Sequence, residues 1–566
     1  MALVSGAELL IRSLQVEGVG AMFAITDISF TPLSIATEKA GMLVVAGRHE
    51  SAQVHMADAW ARATGVPALV VGGMGPGVAN LLPGVVNAWI EGVPVVVVGT
   101  QRSSRVDQAI RRNRFQYTPQ LELFRPVTKF AAAVPETRRL PEYLREAFRH
   151  ALAGRPGPVY LELAPELLRD EVDEDANPVH DPTLYRAVVG TPDPGAVERA
   201  AALLSAAARP LVLAGNGIPG AEASGELARF AEVTGAAVCT TPGARGAISE
   251  LHPHAVGMAN ALLSPVMQEA DVVVAVGTGI GEVVGYGQFP AWAGPGTQRL
   301  VHIDRDPLVI GVNRPVDVAL VGDARQGLRA LTEAVGASAL RNDGSWARQQ
   351  AAGAQSVMAM MADSGLELDG SPVHPARLAA EFTRFLPEDA LVCLDGGNSA
   401  LWAHLALVVT RPRSLLWTGH FGHLGTGLPY AIGAKLARPD RPVFLFSGDG
   451  AFGFNLQELE TAARVGAALV AVVNCDYAWA MEEQGMLDEV GRTIGVHTSV
   501  VRYDLVAQGL GCHGELVEAP EEIVPALEWA RASGRPAVVQ VVVDHAANVS
   551  PPGLAEFLDM YSGATT

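Results

Sequence analysis

The sequence is poor in basic residues, in cysteine and in long apolar runs, and each shortage argues against a class of function. Its 566 residues include 41 Lys and Arg against 60 Asp and Glu, a formal net charge of −19. Such an acidic balance disfavours nucleic acid or an anionic membrane as the main partner. The four cysteines lie far apart without C-x-x-C spacing, as is typical of buried thiols in a cytoplasmic protein.

Long apolar segments are missing as well. No run approaches the roughly 20 residues that a membrane-spanning helix needs. The first residues, MALVSGAELLIRSLQVEG, lack the basic and apolar regions of a signal peptide and predict an amphipathic helix. We therefore expect a cytoplasmic protein with no membrane partner.

Short β-branched runs alternate with Ala- and Leu-rich helical stretches along the chain. This alternation is typical of parallel α/β sheets, and the length predicts several domains. Polar stretches interrupt the pattern at 169–195 and near 341–375. We predict three consecutive doubly wound parallel-sheet domains, over 1–175, 190–340 and 365–550, followed by a tail over 551–566.

One glycine motif invites a dinucleotide interpretation. GNGIPG at 215–220 fits GxGxxG and follows the apolar run PLVLA. A ribose-binding acid is expected about 20 residues further on. The next apolar run ends instead at Thr240 and Thr241, and Pro219 removes a backbone donor from the loop. A structural turn, or a nucleotide held only for stability, is favoured over hydride chemistry.

A second glycine motif lies at the end of a predicted strand. LFSGDG places Asp449 between Gly448 and Gly450, and the next apolar run, ALVAVVN, is followed by Cys475 and Asp476. Carboxylate, carbonyl and phosphate oxygens are the ligands that Mg²⁺ prefers. The pattern indicates a metal-held diphosphate at the carboxyl edge of a parallel sheet. An ordinary turn is the alternative interpretation of GDG alone.

Four motifs follow one another along the chain: RHE before a helix, MGPGVANLLPGVVNAWIEGVPVVVV, GHLGTGLPYAIGAKLA and the GDG segment. In this order they resemble the thiamine diphosphate-dependent enzymes of the acetolactate synthase and decarboxylase superfamily. The resemblance implies pyrimidine-binding, central and diphosphate-binding domains in that order. It also implies thiamine diphosphate and Mg²⁺ as cofactors, a homodimer as the smallest active unit and a homotetramer as a common assembly.

The resemblance implies a set of metal ligands with one departure. The family usually has Asn 27 positions after the GDG aspartate, and that position is Asp476 here. We expect Asp449, Asp476 and the carbonyl of Ala478 to bind the metal. Asn474, two residues earlier, is the alternative side chain.

The resemblance also implies roles around the cofactor. Glu50 would be catalytic, bonding N1′ of the aminopyrimidine, and Glu482 stands where some decarboxylases carry an active-site acid. The carbonyl of Gly422 would accept from N4′, and Leu424 would support the bent cofactor. The remaining expected contacts with the cofactor come from Gly397, Asn398, Ser399, Gly448, Gly450 and Ala451.

One stretch points to a particular branch of the superfamily. FQYTPQLELFRPVTKFA resembles the corresponding part of 2-hydroxyacyl-CoA lyases. That likeness implies ADP in the central domain, with Asp304 or Asp306 of VHIDRDP at the ribose. The leading hypothesis is cleavage of a 2-hydroxyacyl-CoA, such as 2-hydroxyisobutyryl-CoA, to formyl-CoA and a ketone or aldehyde, reversibly, so that an acyl-CoA is the expected partner.

Alternatives remain open at this level. One is an acetolactate synthase-like carboligase, or a decarboxylase of 2-oxo acids or oxalyl-CoA. Another is a catalytically silent nucleotide-binding or assembly protein. AMFAITDISFTPL departs from the usual family turn at residues 28–30. The tail segment LAEFLDMY is either a lid over a long ligand or a packing helix.

Overall fold

Three parallel sheets of six strands each organise the chain. The computed structural model describes residues 3–103, 113–187, 189–259, 264–336 and 339–555. Every strand pair within the three large sheets is parallel, which confirms the predicted fold class. Most of the predicted tail lid, from 556 onward, lies outside the described residues.

The first domain is built around the sheet ordered β3-β2-β4-β5-β7-β6, and β1 pairs antiparallel with β8 beside it. Its strands are β1 Leu3–Ser5, β2 Ala21–Ala24, β3 Leu43–Val45, β4 Leu69–Gly72, β5 Val96–Thr100, β6 Phe130–Ala133, β7 Val159–Leu163 and β8 Glu171–Asp173. Its helices are α1 Gly6–Val16, α2 Thr31–Lys39, α3 Glu50–Thr64, α4 Pro76–Glu91, α5 Gln120–Phe124, α6 Leu140–Leu152 and α7 Glu166–Arg169.

The central domain has the sheet order β11-β10-β9-β12-β13-β14. Its strands are β9 Pro210–Ala214, β10 Ala237–Thr240, β11 Ala255–Met258, β12 Val272–Val276, β13 Arg299–Asp304 and β14 Val318–Val321. Its helices are α8 Pro194–Ala206, α9 Gly217–Gly220, α10 Ser224–Thr234, α11 Ser264–Glu269 and α12 Ala324–Gly336, and α13 Ser345–Leu366 leads to the third domain.

The third domain is built around the sheet ordered β16-β15-β17-β18-β20-β19. Its strands are β15 Leu391–Asp395, β16 Leu415–Leu416, β17 Val443–Gly448, β18 Val470–Cys475, β19 His513–Val517 and β20 Ala537–Val542. Its helices are α14 Pro375–Phe385, α15 Asn398–Ala406, α16 Gly427–Ala437, α17 Asp449–Gly453, α18 Glu458–Val465, α19 Ala480–Val490, α20 Tyr503–Gly509, α21 Ile523–Ala532 and α22 His545–Asn548.

The first and third sheets share one topology. Numbered within each sheet, both run 2-1-3-4-6-5, whereas the central sheet runs 3-2-1-4-5-6. Each order reverses direction beside its first strand, and a crevice opens there at the carboxyl ends of the strands. In the third sheet this crevice lies between β15 and β17, the strands that precede Gly396 and Asp449.

The first and third domains share a hydrophobic core within one chain. One buried cluster combines strands and helices of both, and α3 packs closely against α16. A Cβ on Gly433 would lie 2.2 Å from the carbonyl oxygen of Met56, so only glycine permits this approach. The packing fixes α3, which begins at Glu50, relative to the third domain.

In the described ranges, no helix combines the length and apolar character required to cross a bilayer.

Candidate cofactor site

Two acidic residues meet at the carboxyl edge of the third sheet. Asp449 begins α17 directly after β17, and Asp476 follows the neighbouring strand β18. Asp449 Oδ2 accepts a 2.8 Å hydrogen bond from the backbone N–H of Tyr477. The fold therefore brings together two residues that are far apart in the sequence.

The electrostatics of this pair suit a cation. Burial, reinforced by the nearby charge of Asp476, raises the pKa of Asp449 to about 7. The side chain of Asp476 is also buried, and its Oδ2 accepts from Asn548 Nδ2 at 2.8 Å. A divalent cation would relieve the repulsion between two buried carboxylates, so the residues fit Mg²⁺.

The loop after β18 has an uncommon backbone conformation. Tyr477 has φ of 59°, in the left-handed region that non-glycine residues seldom occupy. Its hydroxyl accepts from Gln540 Nε2 at 3.2 Å, and the backbone N–H of Ala478 donates to Asp476 Oδ1 at 3.2 Å. These contacts hold residues 476–478 beside Asp449.

The alternative ligand, Asn474, lies within β18 itself, opposite Gly448. Its side chain is buried, and neither of its amide atoms has a hydrogen-bond partner among the described residues. Asp476 is the residue whose charge acts on Asp449. The arrangement brings Asp476 and Asp449 together, and it leaves Asn474 as a buried polar group without a partner.

Glycines allow side chains and backbone to approach closely around the pair. A Cβ on Gly448 would lie 2.9 Å from Ser399 Oγ, and one on Gly450 would lie 2.6 Å from the Trp479 ring. A Cβ on Gly397 would lie 2.9 Å from Met481 Sδ. The predicted residues of the GDG and DGGNS segments therefore line one cradle.

The start of α15 supplies backbone donors to this cradle. Gly397 caps the helix, and the first backbone N–H groups of an α-helix have no partner within it. Asn398 Nδ2 donates to the carbonyls of Asn548 and Val549, at 2.8 and 3.2 Å. Its side chain thus anchors α15 to α22, and the backbone N–H groups remain suited to a diphosphate.

The glycine-rich loop before α16 borders the same cradle. The carbonyl of Gly425 accepts from Asn455 Nδ2 at 2.7 Å, and Gly422 has a positive φ of 63°. Leu424 is half-buried between these two glycines. The loop is thus tied to the segment that follows α17.

Glu91 of the first domain holds the same loop from the other side. Its Oε1 accepts from the backbone N–H groups of His420 and Phe421, at 2.8 and 3.0 Å. Burial raises the pKa of Glu91, but the hydrogen bond with His420 and the charge of Arg62 outweigh it, and the pKa is lowered overall. The carboxylate therefore stays ionised as a fixed anchor.

Glu50 lies in the first domain, at the start of α3. His49 caps this helix by accepting from Ser51 N–H at 3.2 Å. Glu50 is half-buried, and its Oε2 accepts from Asn80 Nδ2 at 3.0 Å. A Cβ on Gly77 would lie 3.4 Å from Oε1. The carboxylate is therefore positioned by residues of its own domain.

Sequence reasoning missed the residue that fixes the start of α3. Glu458, at the first position of α18, is fully buried. Its Oε1 accepts from the backbone N–H groups of Arg48 and His49, at 2.9 and 3.0 Å. A third-domain side chain thus holds the turn directly before Glu50. Nothing local marks Glu458, because its partners lie about 410 positions earlier.

A second missed anchor is Gln120, within the FQYTPQ stretch. Its Oε1 accepts from Gly75 N–H at 3.0 Å, and its Nε2 donates to the hydroxyl of Tyr160 at 3.1 Å and to the carbonyl of Thr100 at 3.2 Å. Gly75 belongs to the turn that starts α4, and Thr100 ends β5. The stretch that resembles the lyases therefore lies at the carboxyl edge of the first sheet.

The two acids at the start of α19 differ in environment. Glu482 is exposed, whereas Glu483 is buried and lies 3.1 Å from His545 Nε2. The helix separates the neighbours onto different faces. The predicted acid, Glu482, therefore faces the open side in a single chain.

The central glycine motif packs against protein. Gly217 N–H donates to the carbonyl of Gly277 at 3.0 Å, and a Cβ on Gly215 would lie 2.3 Å from that same oxygen. Asp304 is buried at the end of β13, where its Oδ1 accepts from Asp306 N–H at 2.9 Å. Contact of Gly215 and Gly217 with Gly277 fills the switch point between β9 and β12. This packing agrees with the interpretation of the motif as a structural turn.

Taken together, the sheets and the acid pair define an α/β protein with two buried carboxylates at the carboxyl edge of its third sheet. Family profiles described as thiamine pyrophosphate enzyme domains match the N-terminal TPP binding domain at 4–123, the central domain at 197–331 and the C-terminal TPP binding domain at 395–541. The chain belongs to the thiamine pyrophosphate-dependent enzymes.

Curated relatives span nearly the whole chain. It is 30% identical to a probable acetolactate synthase large subunit of Methanocaldococcus jannaschii, over 97% of this chain and 94% of the relative. The acetolactate synthase large subunit of Mycobacterium tuberculosis is 31% identical over 95% of each. A 2-hydroxyacyl-CoA lyase of Arabidopsis thaliana is 28% identical over 96% of each.

Proposed function

We propose that this enzyme cleaves the bond between C1 and C2 of a 2-hydroxyacyl-CoA, reversibly, with thiamine diphosphate and Mg²⁺. The observation that carries the proposal is the placement of residues 115–131. Gln120 Oε1 accepts a hydrogen bond from Gly75 N–H, which ties this lyase-like stretch to the turn before α4. Asn80 of the same helix donates to Glu50 Oε2. A substrate-specific segment belongs at such an edge.

The third domain would hold the diphosphate and its metal. Asp449, Asp476 and the carbonyl of Ala478 would bind Mg²⁺. Backbone N–H groups at the start of α15, from Gly397 to Ser399, would bind the diphosphate oxygens, and Gly448, Gly450 and Ala451 allow close approach. The raised pKa of Asp449 is compatible with this proposal, because a bound cation would take the place of the proton that burial favours.

Glu50, Gly422 and Leu424 would act on the organic rings. The Glu50 carboxyl would share a proton with the ring nitrogen N1′, and the Gly422 carbonyl would accept a hydrogen bond from N4′. Leu424 would support the bent form by apolar contact. Asn80 would keep the Glu50 carboxyl oriented through the 3.0 Å hydrogen bond.

Thiamine diphosphate, when bound, supplies a nucleophilic carbon and an electron sink for the bond that breaks. The protein's part is to remove the proton from the substrate hydroxyl, so that C2 becomes a carbonyl as the C1–C2 bond breaks, and to return a proton to C1. Glu482 is our candidate for local proton transfer. For 2-hydroxyisobutyryl-CoA the products are acetone and formyl-CoA.

The test is a product assay. Purified protein with Mg²⁺, thiamine diphosphate and 2-hydroxyisobutyryl-CoA should release acetone and formyl-CoA in equal amounts, measured by chromatography and mass spectrometry. A straight-chain 2-hydroxyacyl-CoA tests the chain preference. Absence of cleavage with both substrates, while the protein still binds thiamine diphosphate, would refute the proposal.

The relatives support a second candidate, acetolactate synthesis from two molecules of pyruvate, because several are named acetolactate synthases. The cofactor residues serve both reactions equally well. Pyruvate turnover without cleavage of a 2-hydroxyacyl-CoA would assign this branch. Decarboxylation of another 2-oxo acid or of oxalyl-CoA would instead assign a decarboxylase. Mass spectrometry of nucleotides released on denaturation is a further discriminator, since ADP would favour the CoA branch.

We propose a homodimer as the smallest active unit, and a homotetramer as its common assembly, in the cytoplasm. In a single chain, apolar side chains are exposed in both cofactor-binding domains. Ile28 of the first domain is 84% exposed, and Phe454 of the third domain is 54% exposed. A second copy would cover such groups and bring its own acid pair to Glu50. Size-exclusion chromatography with light scattering measures the assembly.

A further inference from the structure

Three side chains converge beside the proposed diphosphate site but are not among the residues assigned to it. They are Glu483 on α19, His497 in the segment after that helix, and His545 at the start of α22. One ligand atom from each lies within 4.8 Å of the other two. The fold assembles this group, which we call the His–Glu cluster, from three separate segments.

The geometry of Glu483 argues against a simple hydrogen-bonded pair. Glu483 is only 8% exposed, and its Oε2 lies 3.1 Å from His545 Nε2. Yet within the described chain no group donates a hydrogen bond to that oxygen. A buried carboxylate oxygen without a donor is costly. Two ligand atoms on one tetrahedral zinc ion lie about 3.3 Å apart, which matches this spacing.

The other nitrogen of His545 has the partner that a metal ligand needs. His545 Nδ1 lies 3.4 Å from Asp476 Oδ2, which Asn548 Nδ2 also contacts at 2.8 Å. A histidine bound to metal through one nitrogen commonly donates the other N–H to a carboxylate, which fixes its tautomer and orientation. Asp476 can therefore orient His545 so that Nε2 points to Glu483.

His497 is held in place by backbone contacts to the metal loop. Its segment forms a bridge with Ala478, Trp479 N–H donates to the Val496 carbonyl at 2.8 Å, and Thr498 N–H donates to the Tyr477 carbonyl at 2.8 Å. The exposed ring of His497 leaves the cluster open to solvent on one side. An ion from solution can enter there, and water can complete its coordination.

We propose that the His–Glu cluster is a second divalent-cation site, of zinc type, with Glu483, His497 and His545 as ligands and a fourth position open to water. Two imidazole nitrogens and one carboxylate suit zinc, whereas Mg²⁺ prefers oxygen ligands. The site is distinct from Asp449 and Asp476 and requires nothing of the thiamine reaction. Its ion would clamp α19 and α22 to the segment at His497.

The test uses the full chain with saturating Mg²⁺ and thiamine diphosphate, so that the cradle is filled. Chelator-treated protein is first reloaded with Mg²⁺ and thiamine diphosphate and then titrated calorimetrically with Zn²⁺. Co²⁺ serves as a spectroscopic probe of tetrahedral geometry. We expect one Zn²⁺ per chain, with affinity reduced at least tenfold in Glu483→Gln and in His497→Ala. Because His497 is exposed, its variant separates loss of a ligand from loss of folding.

Matched controls keep the residue types but leave the cluster intact. Glu489→Gln changes an exposed acid on the same helix, and His180→Ala removes an exposed histidine elsewhere. Both should bind Zn²⁺ as the unchanged protein does. Unchanged affinity in His497→Ala, no zinc binding in the presence of Mg²⁺ and thiamine diphosphate, or displacement of Zn²⁺ by excess Mg²⁺ would each overturn the proposal. None of these results depends on the substrate that the enzyme uses.

Discussion

At the scale of single residues, the proposed role of the Asp449 carboxyl as a metal ligand predicts a link between pH and cofactor binding. Its pKa is raised from 3.8 to about 7, mainly by burial, so the folded protein holds this proton more tightly than the unfolded chain. Without cofactor, this group's contribution to stability is present below about pH 4 and is lost as the pH rises through about 7. Because Mg²⁺ must displace the proton, cofactor affinity should fall about tenfold per pH unit below 7.

Thermal unfolding with and without Mg²⁺ and thiamine diphosphate measures both effects. The increase in Tm on adding cofactor should be larger at pH 8 than at pH 6. Asp449→Asn should lose that increase, and its Tm without cofactor should depend less on pH. An increase that is equal at both pH values would contradict the assigned proton.

The Glu50 carboxyl gives a second prediction at this scale. Glu50→Gln should lower kcat by at least about 100-fold, as loss of an acid–base group does, while Asn80 can still hydrogen-bond the new amide oxygen. Thiamine diphosphate binding, measured by calorimetry, should change much less. Glu38→Gln, at an exposed position on α2, is the matched control and should keep full activity.

Strand-end positions predicted a polar partner beside Asp449, and the spacing implied by the family resemblance favoured Asp476 over Asn474. Both follow apolar runs, and adjacent parallel strands end at one edge. Glu458, Gln120 and the pairing of Glu483 with His545 were not predictable, because each depends on contacts between distant segments. Their chemistry becomes visible only when the fold sets the distances.

At the scale of elements, Glu458 controls where α3 begins. Glu458→Ala would leave two backbone N–H groups without their acceptor, at a cost of about 1–3 kcal/mol each. Displacement of Glu50 should also lower kcat, since about 1 Å of misplacement can cost 100-fold. Glu458→Gln retains an acceptor oxygen and should therefore keep most of the stability and most of kcat. Urea unfolding measures the loss of stability, and steady-state kinetics measures the loss of kcat. Equal losses in Glu458→Ala and Glu458→Gln would contradict the anchoring role.

The contact of α3 with α16 gives a prediction about packing. Gly433→Ala places a methyl group against the Met56 carbonyl and should destabilise the protein by about 1–3 kcal/mol. Gly353→Ala, on the exposed face of α13 with no atom within 4 Å of the added Cβ, should instead stabilise it by up to about 1 kcal/mol. Chemical denaturation compares the two, and a stabilising Gly433→Ala would contradict the close approach.

Element boundaries show what local pattern supplies and what it misses. The amphipathic pattern at the start predicts one helix, yet Leu3–Ser5 forms a strand paired with Glu171–Asp173. That pairing joins segments about 170 residues apart, so no local sequence pattern predicts it. The capping box of Ser5 and Glu8 then begins α1.

At the scale of the whole molecule, the alternation of strands and helices predicted the α/β class, and the three sheets confirm it. Pattern did not predict that the first and third sheets share a topology while the central one differs. That order depends on crossovers between strands of similar composition. We propose that the choice among substrates depends on the pocket shape at Ile28–Phe30 and on residues 115–131.

An active site shared between two copies is tested most directly by mixing two inactive variants. Glu50→Gln and Asp449→Asn would be unfolded together, refolded and assayed for cofactor-dependent turnover. In a mixed dimer, one site would combine Glu50 of one copy with Asp449 of the other, so about a quarter of the unchanged activity should return. Mixed dimers that form but stay inactive would show that each chain builds its site alone.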